Sequence, residues 1–265
     1  MKVGFIGCGN MATAIIKGVV ESGTLKSEDI FVYDLDNEKT NQCSAKYGVN
    51  LVANEKDLVS NVDAIVLAIK PKNFEGLLPN IDEDLKEKNP LIISIAAGKT
   101  LDLISSFFSY RPALVRVMPN INAKVGEAMC AYCDNNLITD AHEKLVCTIF
   151  SSIGKVMKLE EQFFPLFGVI AGSAPAFAYL FIDSLARAAV KKGMSKQIAL
   201  EIAAQTVYGS AKLIMEGNEH PWELIDQVCS PGGTTIEGIT SLQADGFESA
   251  IERAVDRAVD KDNKI

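Results

Sequence analysis

"KVGFIGCGNMATAI", residues 2–15, decides how the rest of the chain is read. It passes from an apolar strand pattern through Gly7-x-Gly9-x-x-Ala12 into a helix pattern. Glycines at such spacing permit a tight turn and let the backbone approach a pyrophosphate at the helix N-terminus, where bare N–H groups and the helix dipole favour an anion. Gly7, Cys8, Gly9, Asn10, Met11 and Ala12 are therefore candidate cofactor-binding residues. With a strand before, a helix after and an acidic strand end following (Asp34 in "VYDLDNEK"), the pattern is that of a nicotinamide or flavin dinucleotide site. A carboxylate at that strand end accepts a ribose 2′-hydroxyl and repels a 2′-phosphate, so Asp34 leans toward NAD(H), although it follows Gly7 at more than the usual roughly twenty residues. Lys39 is the one cation soon after it.

Outward from this loop, short apolar runs alternate with helical patterns. "IFVYD" (30–34), "AIVLAIKP" (64–71), "LIISIAAG" (91–98), "ALVRVMPN" (113–120), "EAMCAYCD" (127–134) and "KVMKLE" (155–160) read as strands. Residues 11–22, 37–48, 101–108 and 141–154 read as helices between them. Alternation of this kind specifies a Rossmann-type, doubly wound, mostly parallel sheet covered on both faces. Ligands of such sheets lie beyond the carboxyl ends of the strands, which places Lys70, Pro71, Ala96, Ala97, Gly98, Met118 and Asn120 among the candidate cofactor residues. Each also reads as part of a plain strand-ending turn. After Glu160 the strand signal stops, and residues 174–193, 195–217, 221–229, 234–244 and 247–263 read as helices. The expected division is an α/β dinucleotide-binding domain over 1–160 and an all-helical domain over 161–265.

The chain has 265 residues, 48% hydrophobic and 23% charged, with a formal net charge of −8. That balance argues against a nucleic-acid or anionic-membrane partner. Six cysteines lack framework spacing; Cys130 and Cys133 form C-x-x-C inside a strand-like run with no second pair to complete a zinc site, and read as reduced cysteines of a cytoplasmic protein. Two histidines exclude a histidine-rich metal centre, and no metal is expected. The start "MKVGFIG" enters a strand directly, without signal-peptide regions. "FFPLFGVIAGSAPAFAYLFI" (163–182) is uncharged over about a membrane span's length, yet contains Pro165, Pro175 and two glycines and lacks flanking basic clusters. It reads as a helix buried between subunits rather than in a membrane.

"QVCSPGGTTIEGI" (227–239) raises a separate question. Ser230 to Thr235 are small or turn-forming residues opening a helix, an arrangement that invites an anion without any phosphate-loop lysine. The plain alternative is that Thr234 and Thr235 are ordinary residues of a helix cap.

Taken together these residues resemble the pyrroline-5-carboxylate reductases over essentially the whole chain. The marks are "GCGNMA" (7–12), Ala53-Asn54, Ala68-x-Lys70-Pro71, "SIAAG" (94–98), "RVMPN" (116–120), "AGSAPAF" (171–177), "QTVYGSAKL" (205–213) and "CSPGGTT" (229–235). The chain departs from the family's pattern at Ile121-Asn122, where Thr-Pro is common, and at Ala171 and Ala174 in place of serine and glycine. The resemblance implies reduction of L-1-pyrroline-5-carboxylate to L-proline by NADPH or NADH, with Asn54 and Ala68 added to the cofactor residues. It further implies that Ser230, Gly232, Gly233 and Thr234 bind the substrate carboxylate and that Thr235 hydrogen-bonds the ring nitrogen as the catalytic residue. Family members pair through the helical domain, which implies a homodimer that can assemble into a decamer.

Two rivals differ in what they require. Two-domain dehydrogenases of the 3-hydroxyacid or 6-phosphogluconate type use a lysine in the first long helix of the second domain, and "GVIAGSAPAFAYLF" has none. A non-catalytic dinucleotide sensor would keep the fold without needing "SPGGTT".

Overall fold

The sheet grows outward from the strand that precedes the glycine loop. The computed structural model describes residues 1–262; the end of the expected last helix and domain, 263–265, lies outside the described residues. The strands are β1 (Val3–Ile6), β2 (Ile30–Tyr33), β3 (Asn50–Leu51), β4 (Ala64–Leu67), β5 (Leu91–Ser94), β6 (Leu114–Met118), β7 (Ala128–Asp134) and β8 (Gly154–Lys158). They form one eight-stranded sheet in the order β3-β2-β1-β4-β5-β6-β7-β8. All neighbours pair in parallel except β6 with β7. The strand order reverses between β1 and β4, the switch point at which such sheets bind ligands.

The central strands are continuous apolar runs because both faces are covered. Along β4, Ala64 and Val66 join one core while Ile65 and Leu67 join the other. The first core packs against α1 (Asn10–Glu21), α2 (Asn37–Tyr47) and, through Val146, Ile149 and Phe150, α6 (Asp140–Ser151). The second packs against α3 (Glu55–Asn61), α4 (Phe74–Lys88) and α5 (Leu101–Ser105) through Leu58, Phe74, Leu78 and Ile104. Cys130 and Cys133 fall on opposite faces of β7, one in each core, so this C-x-x-C cannot act as a pair. Burial alone pushes the Cys130 thiol up to about 12.

β3, α3 and α4 lie beyond what the sequence patterns signal. β3 has two residues, and α4 carries Pro79 in its interior. A helix with an internal proline gives no clean start and stop signal, and here packing of Phe74, Leu78, Ile81 and Leu85 outweighs it.

The chain divides into two compact units, the first ending at Gly172 and the second beginning at Ser173. The expected boundary at 160 lies ahead of this packing boundary because the segment after β8 is tied to the first unit. Glu161 accepts from Arg116 Nη1 at 2.9 Å and from the Leu101 N–H at 2.7 Å. Phe164, in α7 (Phe164–Phe167), is fully buried, with the Arg116 guanidinium 4.4 Å from its ring centroid. Asn120 Nδ2 donates to the Ala171 carbonyl at 2.8 Å. The helix widens to π geometry over Gly168–Ser173, the stretch that holds the Ala171 departure.

The second unit is helical throughout its described residues: α8 (Ala174–Lys191), α9 (Lys196–Glu216), α10 (Pro221–Val228), α11 (Thr234–Ala244) and α12 (Phe247–Asp262). α8 and α9 meet on a buried set of small residues, Ala186, Ala199 and Ala203, whose size lets the helices approach closely. Asp183 on α8 pairs with Arg187 and with Lys196 of α9. Large apolar side chains stay outside, Leu180 at 69% exposure and Tyr179 at 57% among them. The run Glu161–Lys191 is long and apolar enough to cross a membrane by length and composition, with a mean hydropathy of 1.7.

Candidate active site

At the carboxyl ends of β1, β2 and β4 a cleft of about 740 Å³ opens. Of the sequence candidates it gathers Gly7, Gly9, Asp34, Ala68 and Lys70. Gly7 has φ +104°, and a Cβ there would lie 2.6 Å from the Ala68 carbonyl oxygen, so both conformation and space demand glycine. A Cβ on Gly9 would meet nothing within 4 Å, so the space before the helix is open. Gly9 is the N-cap of α1, which has no side-chain cap and no acidic residue in its first turn. The first bond of the helix runs from the Thr13 N–H to the Gly9 carbonyl at 2.9 Å. The N–H groups of Asn10, Met11 and Ala12 thus lack protein partners among the described residues, and this start fits a pyrophosphate.

Asp34 stands behind the loop. Its Oδ2 accepts from the Cys8 N–H at 2.7 Å and its Oδ1 from the Asp36 N–H at 2.9 Å. The Cys8 side chain faces the other way, toward a second cavity of about 490 Å³ shared with Gly9, Asn10 and Cys43. A hydrogen bond to Cys43, together with burial, raises the Cys8 thiol and keeps it protonated.

Other candidates stand elsewhere. Asn54 caps α3, accepting from the Asp57 N–H at 2.8 Å. Asn120 is buried with its amide engaged at both ends, by Ala171 and by the Met129 N–H at 3.3 Å. Met118 lies beneath Gly168, where a Cβ would be 3.4 Å from its sulfur. Pro71 opens the short turn after Lys70. Ala96 is buried in the second core, whereas Ala97 and Gly98 are exposed at the end of β5. Conversely, Tyr33, Leu35, Lys39, Glu55, Lys72 and Asn73 line the cleft without having been candidates. Glu55 and Lys72 lead into α3 and α4, the helices whose sequence signal is weak; Lys39, already noted beside Asp34, carried the one available hint.

In the second unit, residues 230–235 form the start of α11. Gly232 has φ +68°, and the Gly233 N–H donates to the Ser230 carbonyl at 3.0 Å, closing the turn. A Cβ on Gly233 would collide with the Ser230 hydroxyl, which therefore lies over the glycine at the N-cap. No side chain caps this helix either. Among the described residues the hydroxyls of Ser230, Thr234 and Thr235 have no protein partner, and Thr235 is half-buried. Both histidines, by contrast, are spent on capping: His142 with Thr139 at α6, and His220 with Glu223 at α10. Among the described residues no group of three potential metal ligands gathers.

A glycine-loop cleft at the switch point of a parallel sheet, followed by a helical unit, defines an NAD(P)H-dependent oxidoreductase. Residues 2–98 match the family described as NADP oxidoreductase, coenzyme F420-dependent, and residues 161–265 match the pyrroline-5-carboxylate reductase dimerisation family. The pyrroline-5-carboxylate reductase of Escherichia coli (strain K12) is 38% identical over 265 residues, covering 100% of this chain and 98% of its own. That of Aquifex aeolicus (strain VF5) is also 38% identical, over 100% and 97%. The structure of a pyrroline-5-carboxylate reductase from Coxiella burnetii superposes with a TM-score of 0.95 at 28% identity, covering 99% of this chain and 97% of that one. The Plasmodium falciparum pyrroline carboxylate reductase with NADP bound gives 0.85 at 31%, with the same coverage. This chain belongs to the pyrroline-5-carboxylate reductase family.

Proposed function

We propose that the start of α11 holds a substrate carboxylate and that Thr235 serves the imine nitrogen, in an enzyme that reduces L-1-pyrroline-5-carboxylate to L-proline with NADPH or NADH. The observation that carries the site is the uncapped glycine start with three unspent hydroxyls. A helix N-terminus needs no lysine to hold one negative charge; its dipole contributes roughly 0.3–1 kcal/mol when exposed and up to about 2 kcal/mol when partly buried. Ser230 and the N–H groups of Gly232 and Thr234 are the binding set, while Gly233, whose own N–H closes the turn onto the Ser230 carbonyl, leaves room for the Ser230 hydroxyl over the helix start.

When bound in the cleft, the reduced dinucleotide supplies the hydride that the imine carbon accepts. The nitrogen must then carry a proton, and the Thr235 hydroxyl orients it, either donating to the neutral imine or accepting from the iminium N–H. No histidine or carboxylic acid is required. The remaining contribution of the chain is positioning, with binding energy from the carboxylate spent on orienting the ring.

Residues 1–160 supply the dinucleotide half of the enzyme and residues 161–265 the substrate and dimerisation half. It works as a cytoplasmic homodimer, with further assembly to a decamer, in which a second copy covers the apolar faces of the helical unit.

The test is the initial rate of nicotinamide oxidation with pyrroline-5-carboxylate, with proline identified as product. Thr235→Ala is expected to lower kcat by about 10²–10³-fold, the loss of one oriented donor or about 3 kcal/mol, with an unchanged circular dichroism spectrum. Wild-type turnover in that variant would remove Thr235 from the mechanism. Dinucleotide binding without any turnover in the native chain would favour a sensor.

A further inference from the structure

We propose that the ribose end of the first unit's cleft selects an unphosphorylated adenosine ribose, making this chain NADH-preferring, with Asp34 as the discriminating residue. The inference rests on the assignment of that cleft to the dinucleotide.

Asp34 directly follows β2, the strand end at which a carboxylate takes the ribose hydroxyls of NAD and a cation takes the 2′-phosphate of NADP. Its carboxylate is fixed from behind by the Cys8 and Asp36 N–H groups, so it cannot swing aside for a phosphate. Each oxygen still has a lone pair for a hydroxyl, since an ionised carboxylate offers about four acceptor sites. The nearby cation pairs with a carboxylate: Lys39 Nζ lies 3.0 Å from Asp36 Oδ2 in a half-exposed contact that holds the Lys39 ammonium above its usual range. Asp36 in turn caps α2. Between them Leu35, 84% exposed, offers an apolar side chain at the position where a guanidinium could meet a phosphate. Glu55 adds a further carboxylate to this lining. Lys39, together with Lys70 and Lys72 from the segment after β4, lines the cleft and is a competing candidate for a phosphate. A relative solved with NADP bound makes this a property of this chain's own residues rather than of the family's fold.

The decisive experiment is fluorescence titration of the purified protein with NADH and NADPH, competed with 5′-ADP and 2′,5′-ADP, without imine. The expected Kd for NADH is lower by about tenfold or more, as a fixed carboxylate against a phosphate dianion demands. Asp34→Ser and Asp34→Asn should each narrow that ratio. Leu35→Arg, at an exposed position, should narrow it even if an Asp34 variant fails to fold. NADPH binding as tightly as NADH overturns the inference. So does an unchanged ratio in folded Asp34→Ser, or NADPH affinity that collapses in Lys72→Ala. Binding is read without substrate, so a failed imine reduction would leave this result standing, and an active reductase indifferent to the phosphate would overturn this inference alone.

Discussion

The two units of the chain differ in how they hold apolar residues. In the first, both faces of the sheet carry continuous cores, and Phe5, Phe74, Phe150 and Phe164 are fully buried. In the second, the buried set among the described residues is three alanines, while Leu180, Tyr208, Leu213 and Met215 are more than half exposed. A surface helix of a soluble protein turns its apolar stripe inward; helices with large side chains outside await a partner. Residues 161–265 match a dimerisation family, and in the proposed homodimer a second copy finishes this unit's core. In that homodimer the stability of the first unit is intramolecular, and that of the second depends on concentration.

The strongest way to break this contrast is to charge the exposed face. Leu180→Glu should abolish assembly, and the helical half should melt at lower temperature or aggregate. Sedimentation velocity and melting at several protein concentrations read both effects. An assembly that survives Leu180→Glu intact would place the interface on another face.

A core deletion in the first unit should do the reverse. Phe150 on α6 is 0% exposed and sits in the first core, so Phe150→Ala should cost about 3–5 kcal/mol of stability by urea or thermal unfolding. Assembly should persist below the lowered melting temperature. Dissociation in that variant, with the sheet still folded, would mean that the two units do not divide stability as argued.

The same contrast explains what was legible in the sequence. Strands buried on both faces announce themselves as apolar runs, and the glycine loop announced its helix, so the expected parallel sheet, the α1 start and the α11 bounds of 234–244 agree with the structure. β3 is too short to show, and α4 is disguised by Gly76 and Pro79. Cleft residues Glu55 and Lys72 were invisible for a like reason, since Glu55 opens the short α3 and Lys72 lies in the turn that leads into α4. Asn54 and Asn120 show a different limit. Both carry the family's pattern, but the structure spends one on capping α3 and the other on tying Ala171 to β7, and the identity of an amide does not tell a ligand from a brace.

The smallest expected effect comes from the ion clusters, where the two units are alike. In the first, Lys158 reaches Asp134 at 2.9 Å and Glu143 at 3.2 Å; in the second, Asp183 joins Arg187 and Lys196. The hydrogen bond from Lys196, then that from Arg187, holds the Asp183 carboxyl below its usual range. A carboxyl lowered on folding contributes stability above its unfolded pKa of about 3.9, and that contribution is lost as pH falls through the folded value. The bond from the Tyr132 hydroxyl, then that from Lys158, lowers Glu143 in the same sense. Lys158 is raised, first by Asp134, so its support persists through neutral pH and fades only as pH rises through its folded value. Asp183→Asn should therefore flatten the acid limb of a melting-temperature profile below about pH 4 while shifting the neutral value far less than Phe150→Ala, as solvent screens exposed pairs. A large loss at neutral pH would mean that Asp183 is buried in the assembled enzyme, and would locate the α8–α9 corner at the subunit contact.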